Sequence, residues 1–440
     1  MPGSARRAAL QALERCRKDG AWSAQAMDRV IRSQELERRE SALASRLCLG
    51  VLQNDRYLDH YIDHYCTRNG DKLEPKLRDI LRLGAYQLLF LDKVPPRAAV
   101  NESVALCRGA GLDRASGLVN AVLRRLAENR DKLPPIPGEG TAEWLSIRYS
   151  HPLWLAERLM REHDYAFAEA FLAVDNQVPP LCLQVNTLRV SPAEYCRMLD
   201  EAEIAYETHP ELPGCLTLSG GAVTELPGYG EGLFYVQDRA ARTAVKIAGP
   251  EPGMQVLDAC AAPGGKSFAA ALRMQNTGSI CACDIHEKKL ERIRSGAERL
   301  GITILSVEAR DARQPLPECA GRFDLVLADV PCSGLGVIGK RPEIRRKTEA
   351  EIAGLPEIQR AILENLSDFV KPGGTLLYST CTVLDAENRD VVTDFLRRHE
   401  EFAPAAFSVG DRASRDGMYT FWPQIDGTDG FFAAKLIRIN

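Results

Sequence analysis

The chain has 440 residues, 45% hydrophobic and 26% charged, with a net charge of −4 at pH 7. That balance fits a globular protein of two or three domains, and no apolar run approaches the length of a membrane span. The 13 cysteines are an odd number with no CxxC pair, which argues against a disulfide scaffold, and with seven dispersed histidines they form no metal-ligand pattern.

The N-terminal "MPGSARRAALQALERCRKDG" is Arg-rich, but Glu14, Asp19 and its Leu/Ala spacing fit a folded amphipathic helix better than a transit peptide, so a cytoplasmic location is expected. Further apolar residues recur at three and four in 37–62, 76–91, 98–111 and 117–130. Residues 1–133 hold 24 Lys and Arg against 17 Asp and Glu, a net +7, while the rest of the chain carries −11. A basic N-terminal third is open to two readings, a polyanion partner or a solvated helical surface. The Pro- and Gly-rich "KLPPIPGEG" (132–140) reads as a linker.

Residues 141–240 mix helix ("PLWLAERLMREH") with alternating strands ("LCLQVNTL", "LTLSG", "LFYVQD"), and 134–240 is acidic, with 6 basic and 16 acidic residues. From 241 onward strand and helix alternate. Strands are expected in "MQVLDAC", "GSICACD", "ITILSVEARD", "FDLVLADVP", "GGTLLYSTCTV" and "GFFAAKLIRI", and helices in 287–301, 351–370 and 386–399. That alternation implies a doubly wound parallel sheet. Cys281 and Cys283, two apart in one strand, are expected on opposite faces and most cysteines as core filler.

After the first strand of this region stands "ACAAPGGKS" (259–267). It ends as a phosphate-binding loop does, but Cys260 occupies the position of the first required Gly and Pro263 removes a backbone donor. The next three strands each deliver an acid at or beyond their ends: Asp284, Asp311 and Asp329. Carboxylates would repel a triphosphate. They suit a ribose, an adenine amino group and positive charge, and S-adenosylmethionine carries all of these. Asp284 is placed to meet ribose hydroxyls and Asp311 the adenine amino group.

"DVPCSG" (329–334) and "STCTV" (379–383) follow strands four and five, which puts both thiols at the ligand edge of the sheet. Thiolate addition at carbon 6 of cytosine makes carbon 5 nucleophilic enough to attack a methyl sulfonium. In order and spacing, "CAAPGGKS", "DVPCSG" and "YSTCTV" resemble the motifs of the RNA 5-methylcytosine methyltransferases, the family of the Sun, Fmu and nucleolar Nop2 proteins. The resemblance covers the whole chain. Residues 1–135 look like a NusB RNA-binding domain, notably in "LRLGAYQLLFLDKVPPRAAVNESVAL" and "GLVNAVLRRL", and "YSHPLWLAERL", "PPLCLQVNT" and "VQDRAA" resemble the intermediate segment. A NusB-like domain on this catalytic domain points to the RsmB/Sun branch, which acts on 16S rRNA.

The resemblance implies a class I Rossmann-like methyltransferase domain with a seven-stranded sheet at 241–440. It also implies an all-α NusB-like domain at 1–135 and a small α+β subdomain at 141–240. It implies Cys381 as nucleophile, Cys332 assisting product release and Asp329 contacting the base near the cofactor. It implies an S-adenosylmethionine site of Cys260, Ala261, Ala262, Pro263, Gly264, Gly265, Lys266, Asp284, Asp311 and Asp329. Lys266 is open to three roles: cofactor, RNA or loop. Two departures are Val330, where the family has Ala, and Gln184, where it has Arg. "GKRPEIRRK" (339–347) offers Lys340, Arg341, Arg345, Arg346 and Lys347 as phosphate contacts for rRNA. A monomer with no membrane partner is expected. Two alternatives stay open: a tRNA methyltransferase, and a non-catalytic RNA-binding or antitermination factor.

Overall fold

The computed structural model describes residues 4–66 and 73–439. Its contacts divide the chain into two compact units. One is Met1–Val178 together with Ile338–Glu349; the other is Pro179–Val337 with Ala350–Asn440. The division runs through the expected intermediate segment: its helices at Leu153–Glu162 and Tyr165–Val174 fall in the first unit and its strands in the second. No helix among the described residues is long and apolar enough to cross a membrane.

The first unit is helical. Its opening helix, Ala5–Lys18, is capped by Ser4, whose hydroxyl accepts from the Arg7 amide, and buries Ala5, Ala8, Ala9, Ala12 and Leu13 at helical spacing. The single run expected over 37–62 is two helices, Arg38–Gln53 and Asp55–Tyr65. They are broken at Asn54, whose side-chain amide donates back to the Gly50 carbonyl. A helix at Ser23–Gln34 was not expected; its apolar residues are few, and only Ala26, Met27 and Val30 join Ser23 in the interior.

The basic segment after the "DVPCSG" motif belongs to this unit, and it is not a free charged loop. Arg345 is 2% exposed. Its guanidinium donates to the Gln53 and Asp175 carbonyls and to Asn176 Oδ1. Glu343 accepts from the Ser23 amide and hydroxyl, at the N-terminus of a helix, where a carboxylate is favoured. Arg346 pairs with Asp55 at 3.7 Å, and Arg341 lies over the Trp22 ring at 4.9 Å. The expectation that Arg345 meets RNA is therefore corrected: it is a buried cation that satisfies protein acceptors. Lys340 and Arg341 are exposed, and Arg346 and Lys347 are half-buried.

The second unit holds two sheets of note. The smaller has strands β1 (Leu181–Val185), β2 (Tyr206–Thr208), β3 (Cys215–Leu218) and β4 (Phe234–Val236), all antiparallel, in the order β2-β3-β1-β4. Leu183, Leu216 and Phe234 pack on the helix Pro192–Glu201, which opens with a capping box of Ser191 and Glu194. Gln184 is buried and donates to the Gln237 carbonyl, so this departure from the family pattern is an interior residue.

The larger sheet contains β5 (Gln255–Asp258), β6 (Ser279–Asp284), β7 (Leu305–Ala309), β8 (Phe323–Asp329), β9 (Val370–Thr380), β10 (Phe402–Pro404), β13 (Met418–Phe421) and β14 (Phe431–Arg438). A separate hairpin joins β11 (Phe407–Val409) to β12 (Arg412–Ser414). The order is β10-β14-β9-β8-β5-β6-β7; β5 to β9 run parallel, and β14 is antiparallel to β9. The expected seven positions are present, with β13 an eighth strand on β14. The short strands between 402 and 421 escaped prediction because each has only three or four residues.

The opposite-face expectation for Cys281 and Cys283 fails, because strand residues two apart share a face. Their sulfurs are 3.6 Å apart, and Glu308 lies in register opposite Cys283. These three side chains are a group of potential metal ligands among the described residues.

Arg345→Ala would leave three acceptors without their donor. The loss in urea denaturation should be about 2–5 kcal/mol, whereas Lys340→Ala, at an exposed site, should change stability little.

Candidate active site

The strand order reverses beside β5, which has β6 on one side and β8 on the other. At such a switch point the loops leaving the C-terminal strand ends diverge and open a crevice. The loop after β5 is anchored into the neighbouring strand end: the Ala261 amide donates to the Cys283 carbonyl at 2.7 Å and the Ala262 amide to Asp284 Oδ2 at 3.3 Å. Gly264 has φ of +112°, and a Cβ there would fall 2.5 Å from the Phe268 ring. Only glycine allows both that backbone and the close start of the helix Gly265–Arg273. The Cys260 side chain packs against the apolar layer, where burial pushes its thiol up.

Four carboxylates surround this loop. Asp258, Asp284 and Asp329 end their strands, and Asp311 stands just beyond β7. Asp284 accepts from the His286 amide at 2.9 Å, and Asp311 is gripped by Arg313 at 2.7 Å. Asp258 is fully buried and accepts from Ser267 Oγ at 2.6 Å, while its Oδ1 has no partner. Burial drives the Asp258 carboxyl up to about 7, opposed by the Ser267 hydrogen bond and the Lys266 charge. Sequence reasoning missed Asp258, which reads as the last residue of a strand.

Lys266 turns toward Asp329 and Phe431. Its ammonium donates to Asp329 Oδ2 at 2.7 Å and sits 5.0 Å from the centre of the Phe431 ring. Burial opposes its charge, yet Asp329 and then Asp258 hold it above the ordinary lysine value. Ser379 Oγ donates to the other oxygen of Asp329 at 2.9 Å. Asp329 is thus oriented at both oxygens, and 30% of its side chain remains exposed.

The two predicted cysteines meet here. Cys332 Sγ and Cys381 Sγ are 3.2 Å apart and half-buried. The hydrogen bond with Cys381, then burial, pushes the Cys332 thiol well up, and the charges of Glu387 and Asp329 add to this. Their loops are tied to each other through backbone: the Gly336 amide donates to the Cys381 carbonyl, and the Gly430 amide to the Gly336 carbonyl. A Cβ on Gly336 would fall 1.8 Å from the Gly430 carbonyl oxygen, so only glycine fits that crossing.

A buried polar layer that the sequence did not reveal lies beneath the cysteines. Ser333, Gln359, Thr380, Thr382, Glu387 and Asn388 are all no more than 2% exposed. The signal that would have found it is "AEN" (386–388) close behind the second cysteine, a buried acid and amide within an apparent helix start.

Three family descriptions match the chain: the NusB family over residues 3–128, a ferredoxin-like domain of RsmF/B-like methyltransferases over 151–224, and the 16S rRNA methyltransferase RsmB/F over 245–437. The probable ribosomal RNA small subunit methyltransferase B of Synechocystis is 36% identical over 98% of this chain and 99% of its own length. The probable counterpart of Bacillus subtilis is 33% identical over 98% of each. The chain belongs to the RsmB family of ribosomal RNA small subunit methyltransferases. As an RsmB-family member it is an S-adenosylmethionine-dependent RNA methyltransferase. Among solved structures, PH0851 superposes with a TM-score of 0.84 at 28% identity over 99% of both chains. A methyltransferase homologue from Pyrococcus horikoshii covers 67% of this chain and 97% of its own, with a TM-score of 0.59 at 26% identity.

The residues present fit the cofactor. Gly264 and Gly265 turn the loop into the start of a helix, the Asp284 carboxylate ends its strand beside the loop, and the surrounding acids suit a sulfonium and an ammonium. Asp258 gives a test of this electrostatic description. Between the ordinary value of 3.8 and the folded value of about 7, the folded chain keeps a proton that the unfolded chain releases. Stability from this group therefore falls as pH rises through that window and is level above it. Asp258→Asn removes the titration, so its stability relative to the native chain should rise between those two pH values and then level off. Urea denaturation at stepped pH measures this, and a constant difference would contradict it.

Proposed function

We propose that the chain methylates carbon 5 of a cytosine in 16S rRNA through a covalent adduct at carbon 6. The observation that carries this reading is the pair of sulfurs 3.2 Å apart beside an oriented Asp329. Methylation of a ring nitrogen or a ribose oxygen needs no second thiol.

The proton distribution supports Cys381 as the nucleophile. The hydrogen bond with Cys381, burial and the charges of Glu387 and Asp329 favour the proton on Cys332, which suits Cys332 to hydrogen-bond the Cys381 sulfur and leaves Cys381 for the attack. Cys381 Sγ attacks carbon 6, and the electron pair of the ring double bond shifts toward carbon 5. Asp329 lies where it can hold the ring edge, with Lys266 balancing its charge in a poorly solvated site. Bound S-adenosylmethionine supplies a methyl group on a sulfonium, which carbon 5 accepts. Loss of the carbon-5 proton to a base then restores the ring double bond. The carbon–sulfur bond breaks, and its electron pair returns to Cys381 while Cys332 hydrogen-bonds the leaving sulfur. Cys332 thus assists release. A cytosine must be unstacked to reach this site.

For RNA contact, exposed Lys340 and Arg341 are retained, with half-buried Arg346 and Lys347 as weaker candidates. The NusB match, together with relatives named for the small ribosomal subunit, supports rRNA as the substrate over tRNA. We read the protein as cytoplasmic and monomeric.

Cys381→Ala should lower methylation by about 1,000-fold or more while cofactor binding survives. Cys332→Ala should accumulate an RNA–protein adduct that withstands denaturing gels; an adduct in Cys381→Ala instead would reverse the roles. Bisulfite mapping in a strain lacking the gene should show one 16S rRNA cytosine losing its methyl group. Unchanged rRNA with altered tRNA would overturn the substrate assignment.

A further inference from the structure

Both cysteine loops rest on one dipeptide, Glu387–Asn388, between the second cysteine motif and the helix Arg389–Arg398. Glu387 Oε2 accepts from the amide of Ser333, the residue after Cys332, at 2.9 Å. The same oxygen accepts from Gln359 Nε2 at 2.9 Å, and Gln359 also donates to the Pro331 carbonyl on the other side of Cys332. The Cys332 loop is therefore gripped on both sides through a single carboxylate oxygen. Asn388 serves the other loop: its Oδ1 accepts from Thr380 Oγ1 at 2.5 Å and its Nδ2 donates to the Thr382 carbonyl at 3.0 Å, bracketing Cys381. Ser333 and Thr382 close the layer with a hydroxyl pair at 2.7 Å. Tyr378 ties the Glu387 carbonyl to β9 at 2.5 Å.

The choice of residue at 387 carries information. Two neutral donors bind Oε2, while the buried Oε1 has no hydrogen-bond partner. A purely structural anchor would be as well served by a neutral acceptor, and a buried carboxylate without a cation is costly. Its charge acts on two neighbouring groups: it helps keep the proton on the Tyr378 hydroxyl, which donates to the Glu387 carbonyl, and on Cys332. Position and proton are what a releasing group needs.

We infer that Glu387 is a positioning residue for release of the covalent adduct, holding the Cys332 loop against Cys381 through Ser333 and Gln359. The inference rests on the covalent reading above. Glu387 does not touch the reacting atoms; it acts through Cys332.

The test uses the full chain with a 16S rRNA fragment and S-adenosylmethionine, and compares Glu387→Ala, Glu387→Asp and Glu387→Gln with Cys332→Ala. Glu387→Ala removes both hydrogen bonds. It should slow turnover by about 100-fold and raise the standing adduct about 10-fold, with cofactor affinity unchanged. Glu387→Asp withdraws the carboxylate by one methylene and should accumulate adduct to a lesser degree, which keeps the test available if the alanine variant folds poorly. Gln can present its carbonyl where Oε2 stands, so Glu387→Gln should restore most of the turnover and shift the pH profile of adduct release downward, as Cys332 loses its proton more readily. Adduct in Cys332→Ala but in none of the Glu387 variants overturns the inference and leaves the covalent reading intact. Loss of cofactor affinity in step with turnover, without adduct, overturns it too. No adduct in Cys332→Ala overturns the assignment of release to Cys332, and the inference with it; no adduct in Cys381→Ala either overturns the covalent reading as a whole.

Discussion

Two sulfur atoms 3.2 Å apart at the C-terminal edge of a parallel sheet set the terms for the rest of the catalytic domain. At that distance one thiol can donate to the other sulfur, and the surroundings favour the proton on Cys332. The fold brings the sulfurs together from residues 49 positions apart by placing β8 and β9 side by side, so that the loops leaving both strands cross at the same edge. The Gly336–Gly430 crossing and the buried layer around Glu387 and Asn388 then fix the two loops. A pair of thiols carried on loops acquires its precision from such support.

The second constraint is electrostatic. Four strand ends deliver carboxylates to one crevice, and in a poorly solvated site those charges would oppose one another. Lys266 is the local answer. It lies 2.7 Å from Asp329, and both Asp329 and Asp258 act to keep it charged. The lysine that gives the first loop its likeness to a phosphate-binding loop thus faces an acid of this chain. This favours a positive ligand in the crevice and disfavours a polyphosphate.

Much of the site was legible because its chemistry sits at fixed points of a regular fold. Asp284, Asp311, Asp329, Cys332 and Cys381 each follow an apolar strand run, and strand ends can be read from hydrophobic runs alone. The layer beneath was not legible, since Ser333, Gln359, Glu387 and Asn388 come from three separate segments and only the tertiary fold makes them neighbours. Arg345 misleads for a related reason: five basic residues in nine read as a surface, and only acceptors from Gln53, Asp175 and Asn176 reveal a buried one. Cys281 and Cys283 are a different case, because the two-residue period of a strand already places them on one face. The break at Asn54 and the short strands of 402–421 fall below the length at which periodicity speaks.

The most direct measurement bears on which sulfur bonds to the base. In a 16S rRNA fragment carrying 5-fluorocytosine at the target, no proton is left on carbon 5 to be removed after methyl transfer, so the carbon–sulfur bond to the native enzyme should persist. Digestion and mass spectrometry of that complex would identify the attached residue. The account predicts a modified cytosine on the peptide containing Cys381, and finding it on Cys332 would contradict the account at its centre.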